Sequence, residues 1–360
     1  MDNLQTLLDQ THAYLQESVA PQANEMDSDP EVLYTALRGL GGRALLALRV
    51  PKAWGGTEAS AETFWTFQEM VARYSGALAF VQTQHQSAAA MLAQSDNELL
   101  KQEYLPPMNQ GKTLVGIAFS QLRRQGDPLV KALPVAGGYQ LDGKLPWVTG
   151  FRFFQSLLVA AVLPDHRSVF GIVPFVATHQ VTGGEIAFSE PLPLAAMTST
   201  NTVTANLSQW FLPEFRVVTV KPAGWIHEND RRNVLAATFL ALGCATAGLD
   251  ILEATSQEKP WRFIADALGA LSRERESCRT AIVQAQQDHQ IPFATRLHLR
   301  AWAIDLAVRS SQAAIAVSSG AANYKHHAAQ RVYREALVFT VSGQTPEIME
   351  ATLARLVGRC

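Results

Sequence analysis

The spacing of apolar residues divides this chain into three stretches. Residues 1–113 carry apolar positions three and four apart, a spacing that predicts amphipathic helices. Residues 114–222 carry short runs of β-branched and aromatic side chains separated by Gly, Pro, Asp and Ser, which is typical of an antiparallel sheet. Residues 223–360 return to long helical patterns. The pattern predicts an α+β fold with an N-terminal helical domain, a central β-domain and a C-terminal helical domain at these boundaries.

Helix ends can be predicted at several residues. Asp29-Pro30 is typical of a helix start, and this helix is predicted to stop near Gly39. Ser60 is predicted to cap the next helix, and Pro106-Pro107 is predicted to end the first helical layer. In the last stretch the predicted helices cover about 230–258, 262–289, 294–322, 327–340 and 345–357.

The segment from Tyr139 to Gly150 reads as a β-hairpin in a chain that is otherwise mostly helical. Asp142-Gly143 is expected to supply the turn, because a two-residue hairpin turn needs positive φ at both central positions. Trp147 and Thr149 lie two residues apart on one predicted strand, so their side chains are expected to share a face of the sheet. An indole and a hydroxyl on one face could grip a flat heterocycle, although a lone tryptophan is more often a core residue.

Composition narrows the class of protein. Hydrophobic residues make up 48% of the 360 residues and charged residues 17%, which is enough apolar material for a large core. The 30 basic and 32 acidic residues nearly cancel, so a nucleic-acid partner is not expected. Cys244, Cys278 and Cys360 are widely spaced and lack a metal-ligand pattern. We therefore expect buried thiols, with neither disulfides nor a metal site.

Two segments bear on location. The N-terminus is amphipathic and contains acids, with neither a basic region nor an apolar signal region, so a cytoplasmic location is expected. The run from Val234 to Leu249 is uncharged, but it is shorter than the ~20 residues that cross a bilayer. With Asn229 and Asp230 as predicted N-cap residues, we expect a buried bundle or interface helix rather than a membrane span.

Four local motifs, in order along the chain, resemble those of the acyl-CoA dehydrogenase family, and the resemblance spans roughly residues 30 to 358. It implies that family's fold, with a C-terminal domain of the four-helix-bundle type, and a flavin-dependent oxidoreductase that dehydrogenates the α,β bond of an acyl thioester. It also implies FAD as cofactor, a small-molecule substrate of the acyl-CoA kind, and a homodimer or homotetramer. The motifs are Val50-Pro51-Lys52-Ala53-Trp54-Gly55-Gly56, Glu103-Tyr104-Leu105-Pro106 with Gly111, the hairpin from Gly138 to Thr149, and Tyr333-Arg334-Glu335-Ala336 with Gln344-Thr345-Pro346-Glu347-Ile348.

The resemblance also implies which residues contact FAD. Two positions match the strand end that addresses the pyrimidine edge of the flavin, two match the residues that cover the ring, and two match contacts near the C-terminus. A Thr and a Glu after a helix are also typical of a helix cap and its capping-box partner, so the last pair has two interpretations. In that order, the positions are Phe119 and Ser120, Trp147 and Thr149, and Thr345 and Glu347.

The chain departs from the family pattern around the phosphates and the adenosine. The family's pyrophosphate-facing serine is lost from the segment 120–126, where Arg123 and Arg124 are gained. Either arginine could hold phosphate, because a guanidinium matches phosphate oxygens, or the pair could form a solvated basic turn. The family's Arg-x-x-Phe-Gly hairpin, which a neighbouring subunit offers to the adenosine, is reduced to Arg262-Phe263, and the Gly-Gly loop near Ser319-Gly320 has lost its second glycine.

The general base that the family uses is not found. The resemblance places that glutamate at Gly343, or in some relatives near Ala236, and neither residue can accept a proton. His85 could act as a base or handle a peroxyflavin, but a core or interface histidine is more common. Glu335 is expected to be structural. Three hypotheses follow: an acyl-CoA dehydrogenase with an unidentified base, a flavin monooxygenase or oxidase of the same fold, and a non-catalytic relative acting as an interaction module.

Overall fold

The computed structural model describes residues 2–288 and 290–358, and it describes side chains from residue 6 onward. Helices occupy both ends of the chain and strands occupy the middle. The helices are α1 Asp2–Tyr14, α2 Ala23–Met26, α3 Pro30–Gly41, α4 Ala61–Tyr74, α5 Gly76–Ala93, α6 Glu98–Met108, α7 Trp225–Arg232, α8 Thr238–Glu258, α9 Arg262–Gln287, α10 Phe293–Ser318, α11 Ala328–Val341 and α12 Pro346–Leu356. The strands are β1 Val115–Ala118, β2 Val130–Val135, β3 Gly138–Val148, β4 Ser156–Val162, β5 Ser168–Pro174, β6 Thr178–His179, β7 Glu185–Phe188, β8 Val203–Pro213 and β9 Val217–Lys221.

This order confirms the predicted α+β architecture. Two predicted caps are also present: the Asp29 carboxylate accepts hydrogen bonds from the first backbone N–H groups of α3, and the Ser60 hydroxyl accepts one from Thr63 in α4. The first helical layer ends next to Pro106-Pro107, as predicted, because both prolines lie near the end of α6, which stops at Met108. Asn229 and Asp230 do not cap α8, contrary to the prediction. They lie within the short helix α7, and α8 begins later without a side-chain cap.

The strands form one mixed sheet rather than a purely antiparallel one. Its order is β6-β7-β8-β3-β2-β4-β5-β9, and β1 pairs with β4 off this path. The pairs β1–β4 and β2–β4 are parallel, while the others are antiparallel. The sheet places the chain that leaves β1 close to β3, because both strands and the 3-10 turn Ser120–Arg123 contact one another.

The predicted hairpin turn at Asp142-Gly143 was wrong. β3 runs through this pair without turning, and the β2–β3 hairpin turns between Val135 and Gly138. Gly143 has φ +136, and a β-carbon there would collide with the backbone oxygen of Leu129, so glycine is required by close strand approach. On β8, Trp210 pairs with Leu141 and Leu207 pairs with Gly143, so β8 has one extra residue between these two pairs. This irregularity is a β-bulge.

The apolar helix α8 packs between α4 and α10, in agreement with the predicted buried bundle helix. Gly243 lies so close to α4 that a β-carbon would collide with the backbone oxygen of Glu69, and Trp65 stacks on Phe239 at 5.3 Å. By length and hydropathy alone α8 could cross a membrane, but 72% of its apolar window is buried inside the protein. A core helix passes the same test, so this result is weak support for a span.

Two of the three cysteines are described, and both follow the prediction of buried thiols. Cys244 and Cys278 are free and buried, and burial raises the pKa of each thiol. Cys360 lies outside the described residues. Within 2–288 and 290–358, no group of three or more His, Cys, Asp and Glu side chains is arranged to hold a metal ion.

Candidate functional site

Trp147 is presented to solvent by an irregularity in β3. The pairing with β8 shifts by one residue between Leu145 and Val148, so β3 carries a bulge at this point. Bulges next to functional sites commonly redirect a side chain. The Trp147 side chain is 51% exposed although its neighbours Leu145 and Val148 are buried. A large flat aromatic surface is therefore available beside the sheet.

Thr149 is in a different environment from Trp147. It follows the end of β3, it is 6% exposed, and its hydroxyl lies 3.0 Å from the hydroxyl of Thr202. The Thr202 hydroxyl is also 3.0 Å from that of Thr200, so three buried hydroxyls form a hydrogen-bonded row. The three hydroxyls have three protons, and the two hydrogen bonds of the row use two of them. One hydroxyl can therefore donate to an acceptor outside the row. Trp147 and Thr149 lie two residues apart, yet one is exposed and the other is buried. The expectation that they share one face of the sheet therefore does not describe this end of β3.

Phe119 and Ser120 lie where β1 passes into the 3-10 turn. The Phe119 ring is buried and meets the edge of Phe170 at 5.6 Å, so its side chain belongs to the core and its backbone lies at the turn. The Ser120 hydroxyl is buried and has no partner among the described residues. A buried hydroxyl without a partner is costly, and it is satisfied when a polar ligand or water contacts it.

Arg123 is already occupied. Its Nε and Nη2 donate to Asp230 of α7 at 2.7 and 2.8 Å, a bidentate pair that joins the β-domain to the C-terminal helices. Arg123 is therefore unsuited to hold a phosphate, which was one of the two interpretations of Arg123-Arg124. Arg124 is exposed, and Gly126, which stands in place of the family's serine, has no side chain to offer.

Thr345 and Glu347 form a helix cap in this structure. Thr345 is the N-cap of α12, and its hydroxyl accepts a hydrogen bond from Ile348. The pKa of Glu347 is lowered, first by its own backbone N–H and the Thr345 hydroxyl, and then by Arg231 and His227 of α7. Both residues therefore lie near α7, which contacts the turn carrying Ser120. The capping interpretation is confirmed, and a role in FAD binding stays a prediction.

Gly343 and Ala236, the two positions at which the resemblance places the general base, are both exposed, and neither has a carboxylate. Gly343 has φ +62, and within 4 Å a β-carbon there would meet one atom of the described residues, Nη2 of Arg300 at 3.9 Å. The positions that the resemblance assigns to a base are therefore open at the surface.

His85 is sealed in the core and unsuited to act as a base. It is fully buried, its Nδ1 accepts from the Val115 N–H at 3.0 Å, and its Nε2 lies 3.2 Å from the Met108 carbonyl. This pattern fixes a neutral ring with the proton on Nε2. Burial lowers the pKa of His85 to about 4. The core interpretation of this histidine is supported.

Glu335 is structural in its contacts. It is fully buried, Arg331 donates to its Oε1 at 2.8 Å, and the Gly76 N–H donates to the same oxygen at 3.0 Å. Oε2 has no partner among the described residues, and burial raises the pKa of this carboxyl. The side chain joins α11 to the start of α5.

Arg300 is a candidate residue that sequence reasoning missed. It is 3% exposed, its Nη1 donates to the Val234 carbonyl at 3.2 Å, and its Nη2 donates to the Ser342 carbonyl at 2.7 Å. Its Nε has no partner among the described residues. The available signal was an arginine within the apolar run of α10, a placement that is rare unless the charge is used.

Two clefts of the described residues lie away from these side chains. One, of about 460 Å³, is at the turn end of the sheet between Val135, Leu163 and Glu214. The other, of about 220 Å³, lies among α1, α4, α8 and α9 and contains Arg73 and Arg275, which are paired with carboxylates. Neither cleft is lined by Trp147 or Ser120.

Comparisons with known proteins point in one direction. A family model described as acyl-CoA dehydrogenase, N-terminal domain, matches residues 1–112. A probable acyl-CoA dehydrogenase of Bacillus subtilis is 21% identical over 360 residues, which cover 95% of this chain and 94% of that protein. A 3-(aryl)acrylate reductase of Clostridium sporogenes is 19% identical with the same coverage. The structure of butyryl-CoA dehydrogenase from Megasphaera elsdenii has a TM-score of 0.83 at 17% identity, covering 99% of this chain and 98% of that one, which shows a shared fold.

Proposed function

We propose that this chain, which is similar to acyl-CoA dehydrogenases in all three comparisons, binds FAD and acts as an oxidoreductase on a carbon–carbon bond next to an acyl group. Two observations carry the proposal: the indole of Trp147 on β3 is exposed, and the hydroxyl of Ser120, in the turn that contacts β3, has no partner among the described residues. The chain matches these relatives over 95% of its length. The substrate expected from the relatives is an acyl-CoA thioester, or an acrylate-type acid of the kind named for the reductase.

The residues present fit the flavin ring better than they fit the rest of FAD. Trp147 would cover the ring, the Ser120 hydroxyl and the backbone at Phe119 would contact its pyrimidine edge, and Thr149 would contribute the end of its hydroxyl row. When bound, the flavin supplies a two-electron acceptor for hydride. Fixed donors at the pyrimidine edge stabilise the negative charge that a reduced flavin gathers there.

The phosphate end of FAD has fewer partners. Arg123 is committed to Asp230, so Arg124 is the remaining guanidinium of the pair, and it is exposed. Thr345 and Glu347 lie at the start of α12, where the Thr345 hydroxyl already accepts a hydrogen bond from the helix backbone. A contact with the cofactor would therefore compete with the helix cap. We expect FAD to be held less tightly than a complete site would hold it, and the ring contacts to dominate its binding.

The lack of a carboxylate at Gly343 and Ala236 favours a second candidate function. A dehydrogenase without its positioned base loses about 10²- to 10⁴-fold in rate. A flavin oxidase or monooxygenase of the same fold needs no α-proton base, and neither His85 nor Glu335 is placed to supply one, since both are sealed by hydrogen bonds in the core.

A spectroscopic experiment separates the candidates. Purified protein is examined for flavin absorbance as isolated and after incubation with FAD or FMN, and then titrated without oxygen with acyl-CoA thioesters and aryl acrylates. Bleaching by an acyl-CoA supports dehydrogenation, and reoxidation by an acrylate of chemically reduced protein supports reduction. Slow bleaching by a reductant with rapid reoxidation by air favours oxygen chemistry. Failure to take up either flavin rejects every flavin-dependent function and leaves the interaction module.

We also propose that the chain assembles with copies of itself as a homodimer or homotetramer. Helices α11 and α12, with the residue that follows α12, carry large apolar side chains that are 42–65% exposed, and such side chains are buried when copies of a chain pack together. These side chains are Tyr333, Leu337, Val341, Met349, Leu353, Leu356 and Val357. The cytoplasmic location stays a prediction.

A further inference from the structure

Arg300 is a buried cation with no anion. No carboxylate of the described residues lies within 4 Å of its guanidinium, and the nearest acid to influence it is Asp230, which is paired with Arg123. Each of its Nη groups donates one hydrogen bond to a backbone carbonyl, and its Nε has no partner among the described residues. A buried charge without a counter-ion is strongly unfavourable, so an anion that reaches it gains more free energy than it would at the surface.

The guanidinium lies directly beneath the surface at Gly343. Gly343 is exposed, and Nη2 of Arg300 lies 3.9 Å from where its β-carbon would be. No side chain can cover the guanidinium at this residue because glycine has none. The next residue, Gln344, has a buried Oε1 without a partner among the described residues, so a second polar group next to Gly343 in the chain lacks a hydrogen bond.

We propose that Arg300, together with the open surface at Gly343 and the amide of Gln344, forms a binding site for a carboxylate group. A carboxylate is planar, presents two acceptor oxygens and matches a guanidinium better than chloride does. The group is either a small free carboxylate such as acetate or the carboxylate end of a substrate. The proposal does not rest on flavin binding, since it concerns residues and charges that are present without the cofactor.

The direct test is thermal unfolding of the full chain without flavin, with sodium acetate compared against sodium chloride at equal ionic strength. A ligand that binds the folded state raises Tm in proportion to ln(1 + [L]/Kd). We expect a saturable rise of about 2 °C by 100 mM acetate that chloride does not reproduce. An equal rise with chloride would overturn the proposal.

A matched pair of variants assigns the effect to one side chain. Arg300→Gln is expected to lose the acetate response. Arg296→Gln is the control, because Arg296 lies one turn earlier on α10 and also donates to two backbone carbonyls, from its Nε to Ile291 and from its Nη2 to Asp288. Loss of the response in both variants, or in neither, contradicts the assignment.

A second pair of variants tests the site even if Arg300→Gln fails to fold. Gly343→Glu brings its own carboxylate to the guanidinium, and Gly343→Gln has the same backbone strain at φ +62 without the charge. We expect Gly343→Glu to melt above Gly343→Gln at neutral pH and to show no acetate response. An acetate response in Gly343→Glu as large as in the native chain would refute the site.

The source of the carboxylate is decided by two thioesters of equal chain length. Succinyl-CoA carries a terminal carboxylate and butyryl-CoA carries a methyl group. A roughly tenfold tighter binding of succinyl-CoA that disappears in Arg300→Gln assigns the site to a substrate carboxylate. Equal binding of the two, with the acetate response intact, assigns it to a free carboxylate. If neither acetate nor succinyl-CoA shows any dependence on Arg300, no carboxylate site exists.

Discussion

Trp147 has an unusual combination of size and exposure for a residue on a central strand. A bulge turns its indole away from the core, and the aromatic face is left without a stacking partner among the described residues. A ring stacked on an indole gains about 0.5–1.5 kcal/mol beyond its buried area. This is the property that the proposed flavin site depends on.

Replacing this indole should weaken flavin binding. We expect Trp147→Ala to raise the Kd for FAD roughly tenfold, equivalent to about 1.4 kcal/mol, as measured by fluorescence quenching of added flavin. Phe215→Ala is the control, because Phe215 is similarly exposed, at 59%, and lies in the turn between β8 and β9, at a position to which no cofactor contact is assigned. If the two variants bind FAD equally well, Trp147 is not part of the site.

At the scale of single elements, α5 is held to the sheet by a neutral histidine. His85 bridges the Val115 backbone of β1 and the Met108 carbonyl at the end of α6. Burial lowers its pKa from 6.5 to about 4, so the unfolded chain binds a proton more readily than the folded one between those values. The stabilisation is full above pH 6.5 and is lost as pH falls towards 4, by about 3 kcal/mol in all.

This predicts a measurable change of slope. The free energy of unfolding, taken from urea titrations between pH 7 and 4, should fall less steeply in His85→Gln than in the native chain. His179→Gln should keep the native slope, because His179 is exposed on the edge strand β6. An unchanged slope in His85→Gln would show that the ring is not buried as a neutral group.

A second link between elements is the Arg123–Asp230 pair, which joins the turn after β1 to α7. Its two short hydrogen bonds are mostly buried, with side-chain exposures of 26% and 13%. We expect Asp230→Asn to lower the free energy of unfolding by about 2 kcal/mol, since it breaks charged hydrogen bonds and removes the nearest acid to Arg300. Asp165→Asn, which breaks an exposed pair with Arg167, should lower the free energy of unfolding by much less, because solvent screens that pair. Similar losses in both would contradict the structural role.

At the scale of the whole molecule, the exposed apolar surface of α11 and α12 predicts self-association. Leu337 and Leu353 are 51% and 56% exposed, and charging them should oppose burial between copies. We expect the double variant Leu337→Glu, Leu353→Glu to elute as a smaller species than the native chain in size-exclusion chromatography with light scattering. Leu133→Glu, at an exposed position of similar exposure on β2, should leave the assembly unchanged. A native monomer, or an unchanged assembly in the double variant, would contradict this interface.

The order of helical and β-rich layers followed from local patterns, since apolar periodicity and caps such as Asp29 and Ser60 depend on neighbours in sequence. The positions without a carboxylate, Gly343 and Ala236, were also evident from the chain together with its family resemblance. The β-rich stretch 114–222 was also evident, but not the parallel pairing of β1 with β4, because pairing direction depends on residues far apart.

The availability of the candidate side chains was decided by contacts between distant residues. Arg123 is taken up by Asp230, 107 residues away, His85 is sealed by the ends of two other elements, and a bulge presents Trp147 but not Thr149 to solvent. Arg300 became a candidate only once its burial beneath Gly343 was known. The sequence determines which chemical groups this protein contains. Desolvation and hydrogen bonding in the folded chain determine which of these groups can still bind or react.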